Sequence, residues 1–114
     1  MQNILVVDDE TIISDLISDI LTQSGYNVKT ASEGRTALQI FEENEFDLVI
    51  TDVFMPGIDG FGVARHIRNS NKPETPIIAR SGTPWDMEKG AFAFVIPKPF
   101  NLKILLHTIN ELKT

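Results

Sequence analysis

The chain has 114 residues, 42% of them hydrophobic, with no cysteine, a net charge of −6 and a sequence pI near 4.7. That length favours one folded domain rather than disorder. The missing cysteine excludes disulfides, thiolate metal sites and thiol nucleophiles, and ten scattered basic residues argue against direct nucleic-acid contact, which needs a basic patch.

The chain starts MQNILVVDDE and meets acid almost at once, unlike a secretory signal. No apolar run approaches the roughly 18 residues of a membrane span, so a soluble cytoplasmic protein without membrane contact is expected. NILVV at 3–7 is a continuous apolar run, the mark of a strand buried on both faces. From 11 to 24, Ile12, Ile13, Leu16, Ile17, Ile20 and Leu21 recur at helical spacing, and Gly25 stops the helix. YNVKTA at 26–31 reads as a short strand. SEGRTALQIFEEN at 32–44 reads as a helix with Ser32 as N-cap and Leu38 and Phe41 on one face. DLVIT at 47–51 is a second buried strand, followed by a Met-Pro-Gly turn.

GFGVARHIRNS at 60–70 aligns Phe61, Ala64 and Ile67 on a helix despite its glycines. PIIARS at 76–81 is a strand, PWDMEKG at 84–90 holds one or two helical turns, and AFAFVI at 91–96 is a strand. After PKPF, residues 101–113 form an amphipathic helix with Asn101 as N-cap and Leu102, Leu105, Leu106, Ile109 and Leu112 inward. Five strands alternating with five helices predict an α/β domain with a parallel sheet and helices on both faces.

Ligands of open parallel sheets bind beyond the carboxyl ends of the strands. The residues there are Asp8, Asp9, Asp52, Ser81 and Lys98. One such residue is ordinary turn chemistry; five at adjacent strand ends are a different matter. Two like charges at 4 Å repel by about 4 kcal/mol at an effective dielectric near 20. Lys98 supplies one compensating charge and a divalent metal the rest. Carboxylate oxygens suit magnesium, manganese or calcium. Magnesium fits best, because it takes one or two carboxylates, waters and a substrate phosphate. No dinucleotide fingerprint follows the first strand and no phosphate loop occurs. His66 and His107 lie away from this edge as ordinary helix-surface residues. What remains is carboxylate nucleophilic chemistry: an aspartate that accepts a phosphoryl group as an acyl phosphate.

VVDDE, DLVITDVFMPGIDG, ARSG and KPF, in this order, resemble the receiver domain of two-component response regulators. The resemblance implies a flavodoxin-like (βα)5 doubly wound sandwich in strand order 2-1-3-4-5, one receiver domain over 1–114, without an output domain. It implies phosphoryl transfer from a sensor histidine kinase or phosphotransfer protein, then slow self-hydrolysis. By position, Asp52 resembles the phosphoacceptor, Asp9 the direct Mg2+ ligand, Asp8 the water-mediated one and the Phe54 carbonyl a third ligand, with Mn2+ as a substitute metal. Ser81 resembles the switch hydroxyl and Lys98 the phosphate-binding lysine, joined to Pro99 by a cis bond. Met55, Pro56 and Gly60 match the loop after the acceptor. The partner is then a downstream protein or fused output domain, and the chain a monomer or phosphorylation-dependent dimer.

The chain departs from that pattern in four places. The segment from 81 to 98 is short, so the fourth helix is a stub or an irregular loop. Val95 stands where the family carries an aromatic switch; Phe94, one residue earlier, either reaches the switch face through a bulge at Pro97 or is plain core. Arg80 occupies a central strand where an apolar residue is expected, so it is exposed by the short segment or paired with an acid. Phe54 is bulky beside the path of attacking water and points to slow dephosphorylation. Trp85, the single tryptophan, falls in a loop expected to move on phosphorylation. The rivals are an unphosphorylated pseudo-receiver interaction module and a phosphoester hydrolase. The latter is disfavoured by Phe54 where an acid/base Asp would stand.

Overall fold

A computed structural model describes residues 3–82, 90, 92–98 and 101–113. Strand β1 (Asn3–Val7) leads to helix α1 (Thr11–Gln23), β2 (Asn27–Ala31), α2 (Gly34–Glu43) and β3 (Leu48–Asp52). Then follow α3 (Gly60–Arg68), β4 (Ile77–Ser81), β5 (Phe94–Pro97) and α4 (Leu102–Lys113). All the strand pairs are parallel, in the order β2-β1-β3-β4-β5, as expected. The short helix placed at 84–90, Trp85 and the Lys98–Pro99 bond fall on or against residues outside those described.

Alternation along the strands sends successive side chains to opposite faces, which builds two cores. Ile4 and Val6, Leu48 and Ile50, with Ile78 and Ile96, pack against Ile17 and Leu21 of α1 and Leu105 and Ile109 of α4. Leu5 and Val7, Val49, Ile77 and Ala79 pack against Ala37 and Phe41 of α2 and Val63 and Ile67 of α3. The central strands β1, β3 and β4 are apolar on both sides because helices cover both sides. Ile12, Leu16 and Leu102, read as helix-face residues, are exposed. Among the described residues no helix is long and apolar enough to cross a membrane.

The start of α2 is set by tertiary contact rather than by capping chemistry, and that of α3 by both. Ser32 is not the N-cap of α2; the helix begins at Gly34, after an uncapped Glu33. A Cβ on Gly34 would lie 2.2 Å from the Ile58 carbonyl oxygen. At α3, Asp59 accepts a hydrogen bond from the Gly62 amide at 3.0 Å, and a Cβ on Gly60 would lie 2.5 Å from the Asp52 carbonyl oxygen. The Gly60 backbone is not in the left-handed region, so alanine is excluded by contact alone. Gly60→Ala is therefore expected to cost about 1–3 kcal/mol by overpacking, although alanine favours helices by about 1 kcal/mol. Urea denaturation reads this directly, and an unchanged midpoint would mean that α3 retreats freely. The cap of the last helix is as read: Asn101 Oδ1 accepts from the Ile104 amide at 3.1 Å.

The bulge expected at Pro97 is absent. Register runs unbroken from Ile78 opposite Phe94 to Ser81 opposite Pro97. Proline is tolerated because β5 is an edge strand. Phe94 packs with the α1–α4 core, whereas Ser81 shares the strand parity of Ile77 and Ala79, which face the other core. The switch-face reading of Phe94 is thereby corrected: partly buried, it packs against the α1–α4 core, and Val95 packs on the α2–α3 side.

Candidate functional site

The carboxyl ends of β1, β3 and β4 meet at one edge. Val7 pairs with Thr51 and Asp52 with Arg80, so Asp8, Asp52 and Arg80 stand abreast with the same alternation. All of them are buried, at 1%, 2% and 4% exposure, and so is Ser81. Isolated charges are not buried in this way without partners, and the partners are visible. Nη1 of Arg80 donates to Asp8 Oδ2. Nζ of Lys98 stands 2.8 Å from Asp52 Oδ1, and the Lys98 amide donates to the Ser81 carbonyl at 2.9 Å, which anchors that residue at the end of β4.

Asp8 also shapes the chain beyond β1. Its Oδ1 accepts from the Glu10 amide at 2.9 Å, an aspartate turn onto the backbone two residues on. The turn leaves Asp9 exposed and brings Glu10 back over the edge. Carboxylate oxygens of Asp8, Glu10 and Asp52 all lie within 4.8 Å of one another. Burial pushes the Asp8 carboxyl above its ordinary range; the Glu10 amide works against this, the Asp52 charge adds to it, and Arg80 and Lys98 oppose it.

This donor set suits a hard divalent cation such as Mg2+. Asp52 Oδ1 is buried and receives no hydrogen bond, the nearby Lys98 being an ion-pair partner without hydrogen-bond angles. An acceptor left so is fit for a metal or an incoming electrophile. Asp9, expected as the direct ligand, is exposed and is not one of these three converging carboxylates, which include Glu10. The loop after the acceptor turns at Met55, which is buried, and at Gly57, whose φ of 75° favours glycine. The Phe54 ring is 62% exposed and meets Phe61 edge-on at 6.4 Å; Phe61 in turn lies 5.6 Å from Phe92. His66 pairs with Glu42 at 2.6 Å on the outer surface and His107 with Glu111 at 3.6 Å, neither at this edge.

A family model for the response regulator receiver domain matches residues 4–110. The chain belongs to the receiver domain family. This receiver domain is 43% identical over 102 residues to YrkP of Bacillus subtilis (strain 168), an uncharacterized transcriptional regulatory protein, covering 86% of this chain and 43% of YrkP. It is 40% identical over 105 residues to the probable transcriptional regulator ycf27 of Cyanidium caldarium, covering 87% of this chain and 41% of ycf27. The chain thus spans less than half the length of these curated relatives. Among solved structures it is similar to the response regulator TrrA of Thermotoga maritima in complex with Mg2+–BeF, at 37% identity and a TM-score of 0.87, covering 98% of this chain and 99% of TrrA. TrrA in complex with the histidine kinase ThkA matches with 38% identity, a TM-score of 0.87 and full coverage of both chains.

Two features of the receiver domain's edge escaped the sequence. Glu10 was visible in DDE, but only the turn at Asp8 distinguishes it from Asp9. The charge of Arg80 was visible within its strand, but the partner lies 72 residues away in the chain.

Proposed function

We propose that the receiver domain accepts a phosphoryl group on Asp52 and changes conformation to control a partner protein or an output domain. The observation that carries this is the buried Asp52 Oδ1, ion-paired to Lys98 and without a hydrogen bond, at the meeting of three strand ends. A carboxylate oxygen of Asp52 attacks phosphorus in line while the bond from phosphorus to the donor's histidine nitrogen breaks. The product is an acyl phosphate and a free imidazole. Glu10 and Asp52, with Asp8 behind them and the Phe54 carbonyl as a further candidate, are the groups that would hold Mg2+. When bound, Mg2+ or Mn2+ neutralises charge on the phosphoryl oxygens. Lys98 would screen the same oxygens, and the Ser81 hydroxyl is the donor assigned to one of them. The complex of TrrA with a histidine kinase supports a kinase or phosphotransfer protein as donor.

The new charge of roughly −1.5 to −2, by analogy with other phospho-residues, draws Lys98 and Ser81 inward and reshapes the loops beside them. A second reading, an interaction module that is never phosphorylated, is favoured by one observation: Asp8 is already occupied by Arg80. Incubation with a small phosphodonor and Mg2+ separates the readings. Stoichiometric, acid-stable and base-labile label on the Asp52 peptide supports the receiver reading. Absence of label favours the module, and continuous turnover a hydrolase. Once formed, the phosphate is expected to be long-lived, because bulky Phe54 stands two residues after the acceptor, the position that by the family resemblance borders the path of attacking water. Phe54→Asn, measured on phosphorylated protein, is expected to shorten its half-life several-fold; an unchanged half-life rules out that shielding.

A further inference from the structure

Among the described residues, Arg80 is the one buried charge at the edge that the proposed transfer leaves unused. It leaves the sheet from β4, yet its guanidinium bonds Asp8 of β1, and β3 with Asp52 lies between those strands. The side chain therefore spans the acceptor's own strand. Its side chain is 5% exposed and that of its partner 2%, and its Nε is buried without a hydrogen bond.

Charge counting at the edge then changes. Asp8 and Asp52 are the two buried carboxylates among the described residues, and Arg80 and Lys98 face them one for one. Glu10 is exposed and keeps its hydration. The carboxylate pair is neutralised with no metal at all. Both oxygens of Asp8 are also engaged, Oδ1 by the Glu10 amide and Oδ2 by Arg80. An ion entering the edge meets a fixed positive charge already in contact with one of its candidate ligands.

We propose that Arg80 is a resident counter-cation, a positioning residue that holds Asp8 and keeps the acidic edge assembled without metal, at the cost of weaker Mg2+ binding. This rests on reading Asp8, Glu10 and Asp52 as the Mg2+ site. Its consequence is a receiver edge that remains folded in chelator and loads Mg2+ only when Mg2+ is abundant, so that phosphorylation tracks the free Mg2+ level.

The test is titration of the whole chain with MgCl2, without phosphodonor, followed by amide shifts in NMR spectra. Arg80→Met removes the charge and keeps much of the stem; its Mg2+ dissociation constant is expected to fall about tenfold, since a nearby positive charge has gone. Arg80→Lys, which keeps a positive charge, is expected within about threefold of wild type. Thermal melting is the second readout. Ligand that binds only the folded state raises its stability, so millimolar Mg2+ is expected to stabilise Arg80→Met more than wild type. Arg80→Met binding Mg2+ no more tightly than wild type overturns the proposal, as does a variant that stays unfolded in millimolar Mg2+. Wild type and both variants failing to bind Mg2+ at all would instead remove the metal reading on which it rests.

Discussion

Asp52→Asn is expected to reduce phosphorylation from stoichiometric to background while leaving the fold in place. Asparagine has the shape of aspartate but no carboxylate oxygen to form an acyl phosphate. The backbone around position 52 is held independently of its carboxylate. The Thr51 hydroxyl donates to the Asp52 carbonyl at 2.9 Å, Gly60 packs on that Asp52 carbonyl, and the Val53 amide donates to the Arg80 carbonyl at 3.1 Å. Lys98 loses its ion-pair partner, but its side chain is 29% exposed and turns to water. Asp8 loses a like-charged neighbour. The two losses oppose each other, so the melting midpoint is expected to move by no more than about 4–8 °C, the shift that roughly 1 kcal/mol gives a domain of this size. Labelling with a small phosphodonor, mass mapping and a melt on the same samples measure both halves. Undiminished label on Asp52→Asn places the acceptor elsewhere.

The second large effect falls on Asp8. Asp8→Ala leaves the Arg80 guanidinium buried with neither its Asp8 partner nor a bond at Nε. Breaking a buried pair from one side costs about 3–5 kcal/mol, a large part of the roughly 5–15 kcal/mol that holds a domain together. It also removes the acceptor of the Glu10 amide, which shapes the turn into α1. Asp9→Ala, at an exposed position one residue on, is expected within about 0.5 kcal/mol of wild type. The neighbouring acids, equivalent in a motif, are thus expected to differ strongly in urea denaturation at constant slope. Equal midpoints would mean that Arg80 finds another partner, and that the pair does not hold this edge.

The parts legible in the sequence are those governed by period and order. NILVV and DLVIT are apolar throughout because helices cover both faces, and that pattern is local. Parallel order then dictates which strand ends meet, so Asp8, Asp52, Ser81 and Lys98 could be gathered before any coordinate was known. The parts that were not legible depend on contacts between distant residues. Ser32 has the chemistry of a cap, but the approach of Gly34 to Ile58 decides where α2 begins. Phe94 could be switch or core depending on a bulge at Pro97, and a proline at an edge strand does not require one. Asp9 and Glu10 differ only through a side-chain turn, and a turn of that kind leaves no mark on composition or spacing. Arg80 looked out of place because its strand supplies the charge and another strand supplies the reason.

The seat of Gly60 on the Asp52 carbonyl also bears on attempts to redesign this domain. Outward positions of α3 such as Phe61 and Arg65 are exposed and open to resurfacing for a new partner. The first residue of the helix is not, because any side chain there wedges against the backbone of the acceptor. A graft that swaps α3 as a cassette must carry its opening glycine with it, or the transplanted surface arrives attached to a displaced nucleophile.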